Sequence, residues 1–228
     1  MTLTEFFHEN PKAAIAFSGG VDSAYLLYAA LQSGADVRAY YVKSAFQPQF
    51  ELDDARRLAE TLSADMRVLD VDILADETVA ANPSDRCYHC KRRIFSAIAS
   101  AAAADGYTLL LDGTNASDDA GDRPGMRALR ELSVRSPLRE CGLTKPEIRR
   151  LSREAGLFTW DKPAYACLAT RVPAGERLTA EKLENTERAE DFLFSLGFTD
   201  FRVRLFSGAA RLQLQAEQLP RLLERRAE

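Results

Sequence analysis

The sequence predicts an α/β protein: a doubly wound parallel sheet followed by a smaller α+β unit. Three observations predict this. From the start, short β-branched or aromatic runs alternate with amphipathic helical stretches, the signature of parallel strands joined by crossover helices. A glycine-rich turn stands where the first strand hands over to the first helix. After Pro163 the alternation gives way to an α-β-β-α pattern.

Taken in order, Ala13–Phe17 reads as the first strand, Asp22–Gln32 as its helix and Val37–Val42 as the second strand. Phe50–Ser63 has helical spacing, with Leu52, Ala55, Leu58, Ala59 and Leu62 on one face, and Met66–Val71 follows as the third strand. Lys91–Ala104 is a helix whose alanine-rich end is a strong helix former. Leu109–Leu111, closed by Asp-Gly, is a short buried strand, and Thr144–Ala155 is a capped helix with Lys-Pro-Glu in its first turn. Between these two lies Gly113–Leu143, rich in Asp, Gly, Arg and Pro; a loop of that length is more often functional than idle. Thr179–Leu196 reads as a helix, Phe201–Phe206 and Arg211–Leu214 as strands, and a last helix ends in Leu-Leu-Glu-Arg-Arg-Ala-Glu. The expected organisation is a main domain over residues 1–160 and a small substrate or oligomerisation domain over 161–228.

The chain has 228 residues, 46% hydrophobic and 28% charged, the balance of a globular protein with a real core. At that size folding removes roughly 70 to 75% of the unfolded chain's surface from water, so no disulfide or structural metal is required. No apolar run reaches the ~18 to 20 residues of a bilayer span, and Met1–Asn10 lacks the pattern of a signal peptide, so a cytoplasmic protein is expected. A net charge of −4 argues against a broad nucleic-acid surface. Two histidines, His8 and His89, leave little material for a histidine-built zinc site or a Ser-His-Asp triad. Four cysteines in such a chain read as thiols, metal ligands or nucleophiles before disulfides.

Ser18-Gly19-Gly20-Val21-Asp22-Ser23 is the most informative string. At a strand-to-helix junction, exposed backbone N–H groups and the positive end of the helix dipole make an anion site, and glycines let a phosphate approach the backbone. Ser18 and Ser23 add hydroxyl donors. No lysine follows the glycines, so this is not the G-x-x-x-x-G-K-[ST] loop. The plain alternative is a tight turn with Ser18 or Asp22 as N-cap. The full string resembles the PP-loop ATP pyrophosphatases, whose fold is of the adenine nucleotide alpha hydrolase-like type. That resemblance implies cleavage of ATP between the α and β phosphates, with AMP passed to a substrate oxygen. Pyrophosphate would rest on Ser18, Gly19, Gly20 and Ser23, with Asp22 facing Mg2+.

Two cysteine segments narrow the resemblance. Arg86-Cys87-Tyr88-His89-Cys90-Lys91 precedes a helix, near whose N-terminus thiolates are favoured. On its own a single C-x-x-C fits half a zinc site, a redox pair, two cluster ligands or two partly buried thiols. Asp161-Lys162-Pro163-Ala164-Tyr165-Ala166-Cys167-Leu168-Ala169-Thr170-Arg171 joins the two units and places a lone thiol ahead of a cation. With the phosphate loop, this set resembles the LarE family of ATP-dependent sulfur transferases, over the chain from the loop to the strands after Phe201.

The LarE resemblance implies that a nicotinate-derived mononucleotide dicarboxylate is adenylylated and that Cys167 then supplies sulfur, leaving dehydroalanine. It implies Asp22, Lys91, Arg171 and Cys167 as catalytic, Lys91 and Arg171 also holding the substrate's phosphate or carboxylates. Asp112-Gly113-Thr114-Asn115 matches the segment beside the nucleotide, giving Gly113 and Thr114 as cofactor-binding. Asp118 and Asp122 would bind metal or stay solvated. Arg204 and Arg211, with Arg202, would reach the substrate from a neighbouring copy in a homo-oligomer. Cys87, Cys90 and Cys167 together form a candidate ligand set for a [4Fe-4S] cluster, the alternative being a sacrificial Cys167 with two spectators. Two departures stand out: Arg204–Gln213 lacks the family's frequent histidine-glycine turn and its glutamate after the Ala-Arg step. Cys141 matches no motif and is read as structural. The competing functions are a tRNA-thiolating PP-loop enzyme and an NAD synthetase-like amidoligase.

Overall fold

The computed structural model describes residues 1–118 and 124–226. A first helix, α1 (Leu3–Glu9), was not foreseen; a Thr2/Glu5 capping box starts it, and Leu3, Phe6 and Phe7 bury its inner face. The expected alternation then follows as β1 (Lys12–Ala16), α2 (Val21–Gln32), β2 (Asp36–Lys43), α3 (Gln49–Thr61) and β3 (Met66–Asp70). After a short α4 (Glu77–Ala80) come α5 (Arg86–Ala104) and β4 (Leu110–Leu111).

The four strands form one parallel sheet in the order β3-β2-β1-β4, with Ile15 of β1 opposite Ala39 on one side and Leu111 on the other. Side chains alternate between two cores, as the strand period of two requires. Ala13, Ile15, Val37, Ala39 and Tyr41 pack with residues of α1, α2 and α3. Ala14, Tyr40 and Val42 pack with Phe95, Ile98 and Ala102 of α5 on the opposite face. A parallel sheet covered on both faces is the doubly wound arrangement the alternation predicted.

The described residues of 113–143 are not all loop. They carry α6 (Pro124–Glu131), α7 (Pro137–Glu140) and an isolated parallel bridge from Leu111 to Arg135. The Asp, Gly and Pro content that suggested a loop hides a short apolar stripe: Ala128 and Leu129 of α6 are buried, and Leu129 joins the core of α5. The expectation for Asp122 lies outside the described residues.

Then α8 (Lys145–Glu154) runs from the predicted Thr144 cap, closed by a capping box with Glu147. The remainder comprises α9 (Ala180–Ser195), the antiparallel pair β5 (Arg202–Phe206) and β6 (Ala209–Gln213), and α10 (Leu219–Glu224). Leu193, Phe198, Phe201 and Val203 give this unit a core of its own. A further cluster joins Phe46, Ile73 and Val79 to Leu168, Val172, Leu178 and Leu183, so the segment around Cys167 is packed against the sheet unit. No described helix is long and apolar enough to cross a membrane.

Candidate active site

Strand order reverses between β1 and β4, because β1 connects to β2 on one side while β4 lies on the other. Ligands of open α/β sheets bind outside the carboxyl ends of the strands at such a point. Here those ends lead directly into Ser18–Ser23 and Asp112–Thr114. The two segments press together: a Cβ on Gly113 would stand 2.9 Å from the Ser23 backbone nitrogen, so this position takes no side chain. Gly19 adopts φ +71°, the left-handed conformation that the turn into α2 needs.

Within the loop, Ser18 Oγ lies 3.1 Å from Ser23 Oγ, the Ser18 N–H donates to Ser23 Oγ at 3.2 Å, and Ser23 Oγ donates to the Gly20 carbonyl. The N-cap of α2 is Gly20 and no side chain caps the helix, which sets aside Ser18 or Asp22 as N-cap. Asp22 points elsewhere. Its Oδ2 lies 2.5 Å from Lys145 Nζ at the start of α8, and its Oδ1 accepts from Asn115 Nδ2 at 3.2 Å. Asp112 is buried and accepts from Thr114 Oγ1 at 2.5 Å and Ser136 Oγ at 2.6 Å, holding Thr114 in place. Asp118 accepts from the Asn115 N–H at 2.9 Å, tying down the same loop.

One cavity of about 460 Å³ collects these groups. Ser18, Gly20, Asp22, Ser23, Gly113 and Thr114 line it, as do Lys145 and Arg149 of α8. Lys91 of α5 projects into it, its stem against Gly125. Glu51, Lys162, Tyr165 and Cys167 line the same cavity. Burial pushes the Glu51 carboxyl up to about 7 against the opposing pull of Lys162. Arg149 donates to the carbonyls of Trp160 and Lys162, fastening the segment that leads to Cys167.

The three cysteines expected to act together approach one another across the sequence. Arg86, 6% exposed, lies between Cys167 and Cys87, its Nη1 3.9 Å from Cys167 Sγ and its Nη2 3.9 Å from Cys87 Sγ. Its guanidinium also faces the Phe46 ring. Cys87 is exposed; burial, and next the neighbouring Cys167, push the Cys90 thiol up to about 12. Among the described residues no group of three His, Cys, Asp or Glu side chains is placed to hold a metal ion. Cys141 packs at the rim of the α1–α2 core, away from the cavity.

Two expectations about arginine need correction. Arg171 is 1% exposed; its Nε and Nη2 bind Glu190 Oε1 and Oε2 at 2.7 and 3.1 Å, and its Nη1 donates to the Ala166 carbonyl and Thr170 Oγ1. Its fork is spent inside the protein, because a buried guanidinium needs a buried carboxylate. Tyr165 Oη and the Val203 N–H complete the Glu190 network. Arg171 therefore shapes the Cys167 loop and does not line the cavity. Arg204 does the same from β5, donating to the Thr170 carbonyl at 2.9 Å, while Arg211 is exposed and lies over Phe206. Neither reaches the cavity within one chain.

Sequence reading overlooked Lys145, Arg149, Lys162, Glu51 and the placement of Arg86. One signal was available: Lys145 opens a helix, where the dipole disfavours a cation, so another partner had to hold it.

Comparison with known proteins decides the family. An uncharacterized protein of Synechocystis sp. is 39% identical over 225 residues, covering 97% of this chain and 83% of its own. Pyridinium-3,5-bisthiocarboxylic acid mononucleotide synthase of Lactiplantibacillus plantarum is 35% identical over 215 residues, covering 93% of this chain and 78% of its own. This chain belongs to the family of that synthase. Residues 12–93 also match the family described as queuosine biosynthesis protein QueC, a match spanning β1, the phosphate loop and the C-x-x-C. The tRNA-specific 2-thiouridylase MnmA of Thermotoga petrophila is 26% identical, over 66% of this chain and 54% of its own. The synthase family places the chain among PP-loop, ATP-using sulfurtransferases, with ATP and Mg2+ as cofactors. The cavity has the parts for that work: a lysine-free phosphate loop and a thiol both line it.

Proposed function

We propose that this protein uses ATP to adenylylate a carboxylate of pyridinium-3,5-dicarboxylate mononucleotide and converts it to a thiocarboxylate with sulfur from Cys167. One observation carries the reading: the phosphate loop and Cys167 line a single cavity.

The substrate carboxylate attacks the α-phosphorus of ATP, and pyrophosphate leaves onto Ser18, Gly19, Gly20 and Ser23 at the uncapped start of α2. Lys145 supplies the cation that the loop itself lacks. Asp22 offers the hard oxygen that Mg2+ prefers when it arrives with ATP, neutralising charge on the phosphates. Gly113 and Thr114 border the nucleotide, and Lys91 faces the substrate's phosphate or carboxylate. Cys167 then displaces AMP from the acyl adenylate to give a thioester, whose carbon–sulfur cleavage leaves the thiocarboxylate. Arg171 and Arg204 hold the loop on which Cys167 sits. Formation of AMP and pyrophosphate in the presence of this substrate, lost in Asp22→Asn, supports the reading; ADP and orthophosphate refute it.

A second reading is favoured by the approach of Cys87, Cys90 and Cys167. Three thiols are a soft donor set suited to a [4Fe-4S] cluster bound through three irons, which would supply an exchangeable sulfide. Arg86 stands between two of the thiols and would have to move aside. Anaerobic reconstitution giving about four irons per chain, lost in Cys87→Ala or Cys90→Ala, supports it. Iron content equal in wild type and variants refutes it.

The exposed Phe206, Leu212, Leu219 and Leu223 near the C-terminal end support a homo-oligomer, for which light scattering is the test. A tRNA substrate has less support: the thiouridylases match over about half their length, and the chain is acidic.

A further inference from the structure

The first turn of α3 and the segment leading into it are each fastened to the Cys167 loop. The Leu168 N–H donates to the Phe46 carbonyl at 3.0 Å, and the rings of Phe50 and Tyr165 meet edge to face with centroids 5.0 Å apart. Glu51, the next residue, lines the same cavity as Cys167. Among the described residues lining the cavity, Asp22, Asp112 and Asp118 each accept hydrogen bonds from fixed partners. Glu51 accepts none, and none of the steps that involve ATP phosphates gives it a task.

We propose that Glu51 is the proton acceptor of the sulfur-releasing step, taking the α-proton of Cys167 once that residue carries the substrate as a thioester. The inference rests on the reading that Cys167 gives up its own sulfur. The Cα–H bond breaks and its proton goes to the Glu51 carboxylate. The electron pair forms the Cα=Cβ bond, the Cβ–Sγ bond breaks, and its pair leaves on sulfur as the thiocarboxylate anion. Residue 167 remains as dehydroalanine, and no oxidant or reductant is consumed.

The charged and titratable groups facing Glu51 set when it can act. Lys162, Arg171 and Lys43 favour its ionised form and Asp54 opposes it, while Tyr41 and Tyr165 are kept protonated by burial. Lys162 is itself paired with Asp54 at 2.7 Å, which blunts its pull. Burial prevails, and the carboxyl becomes a base only as pH rises through about 7. A base of that strength is matched to proton transfer near neutrality.

The test is single turnover of the whole chain with ATP, Mg2+ and pyridinium-3,5-dicarboxylate mononucleotide, followed by intact mass. In wild type, Cys167 should lose the elements of hydrogen sulfide as AMP appears. In Glu51→Gln, AMP and pyrophosphate should still form once, the chain should gain a hydroxylamine-labile adduct at Cys167, and sulfur loss should slow by about 10²-fold. Glu51→Asp, which keeps the acid but withdraws it by one methylene, should slow sulfur loss less and keep its dependence on pH. Sulfur loss in both variants at the wild-type rate and pH profile overturns the inference alone. Thiocarboxylate made by wild type with no change in its mass overturns both the inference and the reading beneath it.

Discussion

Lys145 Nζ lies 2.5 Å from Asp22 Oδ2, across 123 residues of sequence. The pair ties the start of α8 to the first turn of α2 and brings a cation to a phosphate loop that contains none. Lys145→Ala should cost about 10²-fold in the rate of AMP formation, the scale of one lost charge-stabilising donor. Lys145→Arg should recover part of that. Steady-state pyrophosphate release is the measurement, with far-ultraviolet circular dichroism showing that α8 is retained.

Arg171 and Glu190 form an ion pair whose side chains are 0% and 2% exposed. Removing one partner strands the other charge in the core, so Glu190→Ala should destabilise the protein by about 3–5 kcal/mol in urea denaturation. Arg171→Ala should cost a similar amount. A substrate-binding role alone would raise KM and leave stability unchanged.

The cysteines should differ in reactivity by position. Cys87 is exposed, whereas burial pushes the Cys90 thiol up to about 12. At pH 8 iodoacetamide should label Cys87 first and Cys90 last, since the thiolate is the reacting form. Peptide mapping over a time course reads the order.

Glu51 also predicts a pH-dependent cost in stability. Its folded-state pKa of about 7 lies above the value of 4.5 expected of a free glutamate. The protonated side chain is tolerated at low pH, and the penalty grows as pH rises from about 4.5 to 7, because the unfolded chain gives up the proton first. Compared with wild type, Glu51→Gln should therefore gain about 1–3 kcal/mol between pH 4.5 and pH 8. Equal stability of the two proteins at every pH would place Glu51 in water.

Much of this fold was legible because strand and helix periods differ. The runs at 13–17 and 37–42 and the helical face of Leu52, Ala55, Leu58 and Ala59 were identified by spacing alone, and the serine-glycine string marked a turn that lines the cavity. The helix α1 escaped notice although Thr2 and Glu5 spell a capping box. The helix α6 was hidden by its surrounding glycine, proline and arginine. Arg171 was misread because sequence shows a cation near a thiol but not the glutamate that neutralises it nineteen residues later. Lys145 and Glu51 owe their place to tertiary packing, and no local pattern announces where a helix start will point.

The central claim is that sulfur passes from Cys167 to an adenylylated carboxylate within one cavity. Protein grown on radiolabelled cysteine, then given unlabelled ATP, Mg2+ and the dicarboxylate mononucleotide, tests it most directly. Labelled thiocarboxylate is expected, one label per chain, and none from Cys167→Ala. Unlabelled thiocarboxylate, formed in the presence of unlabelled sulfide while Cys167 stays intact, would contradict it.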